Sequence, residues 1–351
     1  MVSKILLFPY WLALRIRNGR YDSGRAKSTF FEDIPVISVG NITAGGTGKT
    51  PMTEYLVKML EADYKVAVLS RGYKRKSKGF RILQESDSAL EAGDEPLQIK
   101  RKFPRATVAV DKDRVNGIRR LLELPEGERP EVVILDDGFQ YRGLKPSLNI
   151  VLQNYNRPIF KDELLPLGRL RDLPEQIGRA DVVICTKCPE CLNDWERSNA
   201  RQESRLHAGQ EMLFAKTVYT EPEPVFPEEG DKRYIYSKEV FVFTGISSDR
   251  DILLQLSDRY EWIAHEKYSD HHRFTKSDVS HLNRYAEAHP RVLLLTTEKD
   301  AQRLRGCNGF SRQFKSRLFY LPIATSLLTA AETERFESIV RSILPAPRTA
   351  T

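Results

Sequence analysis

Cysteine is scarce: the chain of 351 residues holds four, three of them at Cys185, Cys188 and Cys191. That is too few for a disulfide framework at this length, and it points to a reducing cytosol. The C-x-x-C-x-x-C spacing has no fourth cysteine or histidine close by, since Cys307 and His207 are distant in sequence and Cys185 falls in a buried strand. No zinc or iron–sulfur site is expected there. Long apolar runs are missing too: nothing approaches the ~20 residues that a helix needs to cross a bilayer. Internal repeats and low-complexity tracts are absent. Acidic residues fall short of basic ones, 48 against 55, for a formal charge of +7. Such an excess suits an anionic membrane surface or a phosphorylated substrate, but the basic residues are scattered and lack interleaved aromatics for base stacking, so no nucleic-acid partner is expected.

The length fits two domains with a connector. At the N-terminus the apolar run Ile5 to Leu14 is followed by Arg15, Arg17 and Arg20. A signal peptide would place its charges first and end in small residues. The observed order suits a segment, residues 1–24, that lies on a membrane interface with Tyr10 and Trp11 at headgroup depth; a first helix packed on the core is the alternative.

From Ile34 onward, continuous apolar strands alternate with helices. Strands are expected at 35–39, 65–69, 107–110, 132–135, 149–152 and 181–185, and helices at 51–62, 95–102, 114–124 and 173–179. This is the pattern of a parallel sheet covered on both faces, a doubly wound α/β domain over 25–211. A loop composition, rich in Pro and Glu, follows Thr220. Strands at 240–245 and 292–296 with helices at 249–260 and 276–289 then make a smaller α/β unit, 236–316. Strand candidates 212–219 and 318–323 are expected to pair as a two-stranded hinge within linkers 212–235 and 317–323. A closing helix in 324–351 is expected to pack back on the first domain.

The strongest chemical signal is Gly40-Asn41-Ile42-Thr43-Ala44-Gly45-Gly46-Thr47-Gly48-Lys49-Thr50-Pro51, between the first strand and a helix. Such a loop aims backbone N–H groups at phosphate oxygens, with Lys49 reaching the outer phosphates and the Thr50 hydroxyl binding Mg²⁺. In G-x-x-x-x-G-K-[ST] the first glycine falls on Thr43, so this is a variant loop. A second signal, Val132-Val133-Ile134-Leu135-Asp136-Asp137-Gly138-Phe139-Gln140, is an apolar strand ending in two carboxylates, where P-loop enzymes hold their metal. Arg171 sits in a loop after a strand, placed to neutralise a transferring phosphate. By itself, Asp94 in Gly-Asp-Glu-Pro reads as a turn or cap.

Together these segments resemble the tetraacyldisaccharide 4'-kinases of lipid A biosynthesis. The resemblance extends to Ser70-Arg71-Gly72-Tyr73, Gly93-Asp94-Glu95-Pro96, Leu165 to Arg171, Asp270-His271-His272 and Thr297-Glu298-Lys299-Asp300-Ala301. It covers the chain from about Tyr10 to Leu304. It implies ATP held by Thr43, Ala44, Gly45, Gly46, Thr47, Gly48, Lys49 and Thr50, and Mg²⁺ on Thr50, Asp136 and Asp137. It further implies a catalytic set of Asp94 (the base), His271 (its partner), Lys49 and Arg171, with Arg71, Asn41 and Glu95 on the substrate. His272 is the alternative to His271. The implied reaction phosphorylates the 4'-hydroxyl of an acylated glucosamine disaccharide 1-phosphate, by a monomer on the cytoplasmic face of a Gram-negative inner membrane. Family patterns usually have Glu where this chain has Asp172. A P-loop ATPase switch that drives protein association is the competing class; it would leave the Asp94 and His271 blocks without a role.

Overall fold

The computed structural model of the chain describes residues 2–346; residues 347–351 of the expected C-terminal segment lie outside them. Among the described residues the strands form two sheets. The larger holds β1 (Val36–Gly40), β2 (Val66–Ser70), β3 (Arg81–Ile82), β4 (Thr107–Val110), β5 (Val132–Asp136), β6 (Leu148–Asn154), β7 (Val182–Thr186) and β8 (Glu211–Tyr219). The smaller holds β9 (Glu223–Pro224), β10 (Glu239–Thr244), β11 (Trp262–Lys267), β12 (Leu293–Thr297) and β13 (Leu318–Leu321), after which β14 (Ile323–Leu327) rejoins the larger.

The large sheet runs β14-β8-β7-β6-β1-β5-β2-β4-β3, parallel except at its two edge strands. β1, β2, β5 and β7 are buried at all of their positions. A strand that buries both faces needs no polar alternation, and helices must then cover it on both sides. On one side, Met52, Leu56 and Leu60 of the helix Lys49–Leu60 and Phe336 and Val340 of the helix Ala330–Arg341 pack on Ile37, Val39 and Ile150. On the other, Leu7 and Leu14 of the N-terminal helix Val2–Asp22 pack with Phe139, Val151 and Val183. From β1 the chain builds outward in one direction through β2 and β4, then in the other through β6 to β8. The C-terminal end of β1 is therefore the switch point, where open α/β sheets bind ligands.

The small sheet runs β11-β10-β12-β13-β9, with only β9 antiparallel. One expectation needs correcting here. Residues 212–219 do pair antiparallel with a returning strand, but that strand is β14, with Tyr219 opposite Ile323 and Ala215 opposite Leu327. Residues 318–321 instead join the small sheet beside β12. The reason is burial: Leu318-Phe319-Tyr320-Leu321 is apolar on both faces and needs an interior slot, whereas Ile323-Ala324-Thr325-Ser326-Leu327 is half-buried and suits an edge. The smaller unit therefore meets the larger through two short passages, one on either side of the β8/β14 pair.

Candidate active site

The loop after β1 departs from the usual phosphate-loop sequence at Thr43, and its geometry explains why. Ala44 N donates to Arg169 O at 2.6 Å and Arg171 N to Ile42 O at 2.8 Å, so the first half of the loop is an extended segment lying along residues 169–171. Thr43 bridges Leu170 in that extended pairing, a conformation any residue adopts. The left-handed turns fall later, on Gly45 (φ 103) and Gly48 (φ 85), and the helix Lys49–Leu60 starts directly afterwards. Its N-terminal N–H groups, with its positive dipole end, face the loop. Asn41 is fully buried and acts as a hub: its amide donates to Thr47 Oγ1 at 2.6 Å, and its carbonyl oxygen accepts from Arg171 and lies 3.5 Å from Lys49 Nζ. Thr186, at the end of β7, donates to Thr47 O at 2.9 Å and closes the other flank.

At the end of β5, Asp136 is buried and Asp137 adopts φ 54, left-handed for a non-glycine residue. Such a conformation persists only where the surroundings enforce it, commonly at functional sites. It turns the Asp137 carboxylate toward Arg171, which donates at 3.0 and 3.2 Å, and toward Lys49 at 3.8 Å. Burial pushes Asp137 upward, but Lys49 and Arg171 outweigh it and hold its carboxyl below the usual range. Asp136 goes the other way, to about 6, raised first by burial and then by Asp137 and Glu95. Burial lowers Lys49 from the ordinary lysine value against the pull of Asp137. Two carboxylates, one of them short of positive charge, at the end of the strand against which the helix that carries Thr50 packs, make an oxygen donor set that suits a hard divalent cation completed by phosphate oxygens and water. Among the described residues no group of three or more His, Cys, Asp or Glu is placed to hold a metal ion.

The small unit reaches into the same cleft. Asp94 and Glu95 open the helix Asp94–Lys102. His271, also left-handed at φ 61, places Nδ1 3.3 Å from Asp94 Oδ2. His272 instead faces Asp278 of its own unit at 3.0 Å, which separates the two histidines. Lys299 pairs with Glu95 at 2.7 Å. Burial opposes charge on both, yet the pairing wins: Glu95 is lowered and Lys299 raised. Arg303 donates to Asp94 and to Asp300.

Asn41, Thr43, Thr47, Lys49, Thr50, Asp136, Asp137 and Arg171 thus converge at one end of β1, and Asp94, Glu95 and His271 line the facing wall. Arg71 is exposed after β2, where its charge disfavours that of buried Arg114; Gly72 next to it abuts Gly93. Asp172 takes no part in the cleft. It is fully buried and accepts from Arg17 (2.6 Å) and Asn18 (2.8 Å), tying the N-terminal helix to the segment that carries Arg171. Cys188 donates to the Cys185 carbonyl at 3.1 Å, and Cys191 is exposed. Sequence reasoning gave no role to Arg303, whose partner Asp94 is 209 positions away, nor to Thr186 or Arg114. Lys299 and Asp300 were visible only as part of a block.

A phosphate loop at the switch point of a doubly wound sheet, faced by a strand ending in paired aspartates, defines a P-loop phosphotransferase. The model of the tetraacyldisaccharide-1-P 4'-kinase family matches residues 3–344. The chain belongs to that family. It is 40% identical over 345 residues to the tetraacyldisaccharide 4'-kinase of Parabacteroides distasonis, covering 96% of this chain and 92% of the relative. It is 41% identical over 325 residues to that of Porphyromonas gingivalis strain W83, covering 91% and 90%. Among solved structures, LpxK from Aquifex aeolicus in complex with ATP superposes with a TM-score of 0.74 at 30% identity, covering 98% of this chain and all of the other.

Proposed function

We propose that this protein transfers the γ-phosphoryl group of ATP to the 4'-hydroxyl of an acylated glucosamine disaccharide 1-phosphate, giving lipid IVA. The observation that carries the proposal is the meeting of the phosphate loop, the Asp136–Asp137 strand end and the Asp94–His271 pair in one cleft. Residues 43–50 cradle the phosphates, Lys49 neutralises the outer ones, and Arg171, anchored by Asp137 and Asn41, adds positive charge beside them. Thr50, Asp136 and Asp137 would hold Mg²⁺, which would supply neutralisation of phosphate charge. Asp94 accepts the hydroxyl proton as the oxygen attacks in line, and His271 orients Asp94. Arg71 and Glu95 face the acceptor; Asn41, expected beside them, is fully buried with its amide committed to Thr47, Arg171 and Lys49, so it shapes the loop without reaching the acceptor. Both members of the pair come from one chain, so a monomer holds a complete site.

No helix among the described residues is long and apolar enough to cross a membrane. The helix Val2–Asp22 instead leaves Phe8, Leu12 and Ile16 exposed at a spacing of four, one face of a helix, while its opposite face is docked. That face rests on the cytoplasmic leaflet of a Gram-negative inner membrane and presents the lipid to the cleft.

The test is transfer of label from γ-labelled ATP to the lipid disaccharide in detergent. Wild type is expected to label the lipid and Lys49→Ala to fold and fail. ATP hydrolysis without lipid labelling would favour the switch class.

A further inference from the structure

Arg303, on the helix Glu298–Leu304, is 8% exposed at its side chain and is held from behind. One terminal nitrogen donates to Asp300 Oδ1 at 2.7 Å and to the Gly245 carbonyl at 3.2 Å. Asp300 is itself fixed: fully buried, it accepts from Thr297 Oγ1 at 2.7 Å and from Gly245 N at 2.8 Å. From this footing the guanidinium crosses the cleft, and its Nε (2.8 Å) and second terminal nitrogen both donate to a single atom, Oδ2 of Asp94. Among the described residues the other carboxylate oxygen, Oδ1, receives no hydrogen bond.

His271 Nδ1 faces the same Oδ2 at 3.3 Å, and Arg303 lies 3.1 Å from that Nδ1. A guanidinium only donates, so the Arg303–His271 contact is a hydrogen bond only with the imidazole proton on Nε2. His271 donates to Asp94 only with that proton on Nδ1. The two contacts exclude each other, whereas the Arg303–Asp94 contact holds in either tautomer. Arg303 is therefore the fixed partner of Asp94, and His271 the exchangeable one.

We propose that Arg303 is the positioning residue for Asp94: it pins Oδ2 with a doubly donated, charge-assisted contact and leaves Oδ1 as the oxygen that takes the acceptor's hydroxyl proton. This rests on the reading of Asp94 as the base. Asp94 is faced by Glu95 of its own helix, by His271 from the loop after β11, and by Arg303, with Asp300 and Lys299 behind. Burial pushes Asp94 up, and His271 and Arg303 together outweigh it, so the carboxylate stays ionised. Loss of Arg303 both frees the side chain and lets its proton affinity rise.

Steady-state kinetics across pH, with ATP and the lipid disaccharide, test the idea on Arg303→Met, Arg303→Gln, Arg303→Lys and Asp94→Asn. Arg303→Met is expected to lower kcat by roughly ten- to a hundredfold, within the ~10²–10⁴-fold that general acid–base catalysis contributes, with little change in KM for ATP. The acidic limb of kcat should move up by roughly 1 pH unit or more, the size an adjacent arginine imposes on an aspartate. Arg303→Gln, which keeps hydrogen bonding without charge, should show the same limb shift and serves if the Met variant does not fold. Arg303→Lys should bring the limb back toward wild type. In the Asp94→Asn background, Arg303→Met should add almost nothing. A wild-type limb in both neutral variants, a lysine limb no different from that of glutamine, or losses that multiply with Asp94→Asn would overturn the assignment. Asp94→Asn retaining the wild-type rate would instead sink the base reading itself, whatever the Arg303 variants do.

Discussion

At the scale of single residues, the cleft is ruled by which carboxylates have a cation and which do not. Asp94 has two basic neighbours and a helix N-terminus, so its carboxyl is held below the usual range and ionised, as the proposed base requires. Asp94→Ala is therefore expected to cut kcat by roughly 10²–10⁴-fold while leaving ATP binding, measured by nucleotide titration, near normal. Glu54 shows the opposite balance. It sits one turn along the phosphate-loop helix and shares Lys102, at 2.5 Å, with Glu298 at 3.3 Å. Burial first, then Glu298, push Glu54 up to about 7, beyond what Lys102 draws back. Between its ordinary value of 4.5 and about 7 the folded state therefore binds more protons than the unfolded one, and stability falls as pH rises through that window. Glu298, raised by its own burial, slopes the same way. Glu54→Gln should flatten the dependence of the melting temperature on pH and gain more at pH 8 than at pH 5; equal effects at both would count against it. The placement of Lys49, Thr50, Asp136 and Asp137 on a loop–helix junction and a strand end was legible in the sequence because the loop and the strand end are local. Arg303 was not, because nothing near it in sequence records a partner 209 residues away.

At the scale of elements, the N-terminal helix has one docked face and one exposed face. Its inward face carries Leu7 and Leu14 into the core, as a packed first helix would, and its outward face keeps Phe8, Leu12 and Ile16 in solvent, as an interfacial anchor would. The two readings compete only if a helix has one face. Asp172 is what orients it: the buried carboxylate accepts from Arg17 and Asn18, and Tyr10 donates to the Arg171 carbonyl at 2.9 Å. Asp172→Ala should cost about 1–3 kcal/mol in chemical denaturation, because it takes the acceptor from the buried Asn18 Nδ2 donor, whose Oδ1 keeps Arg17 and Arg142, while the more exposed Arg17 is rescued by water. Leu12→Glu with Ile16→Glu should cost little stability and weaken sedimentation with anionic liposomes. Unchanged sedimentation would remove the membrane role from this face. The element the sequence misplaced was the returning strand, since the strongest apolar run, Leu318 to Leu321, belongs to an interior strand and the true edge partner is too polar to stand out. β11, Trp262-Ile263-Ala264-His265-Glu266-Lys267, was missed for the same reason: an edge strand can carry charge, and its pattern then looks like a loop.

At the scale of the whole molecule, the two sheets are joined by the β8/β14 connection and by a set of contacts across the cleft. Those contacts are charged or polar: Lys102 with Glu298, Lys299 with Glu95, Arg303 with Asp94, Lys187 with Asp251 at 2.8 Å, and Arg101 with Gln302 at 2.7 Å. Four of the five are carried by a single short helix, Glu298–Leu304, through Glu298, Lys299, Gln302 and Arg303. A polar interface of this kind permits relative motion of the units it joins, in contrast to an apolar one that would fuse them. The proposed chemistry draws on the clasp, because His271 and Asp94 come from the two units and lie 3.3 Å apart where it is engaged. In the proposed site the nucleotide phosphates, by contrast, are held by residues of the large sheet alone. Removing two clasp cations outside the Asp94 group, as Lys102→Met with Lys299→Met, should therefore separate closure from nucleotide binding. The double variant is expected to show a larger radius of gyration by small-angle scattering and a kcat reduced at least tenfold, while its affinity for a fluorescent ATP analogue stays within about threefold of wild type. Charged contacts that are only half-buried are also screened in part, so wild type should expand slightly between ~0.1 and ~1 M salt and the variant should not. A double variant as compact and as fast as wild type would mean that the strand pair alone fixes the two units, with the helix Glu298–Leu304 resting on the cleft wall without holding it shut.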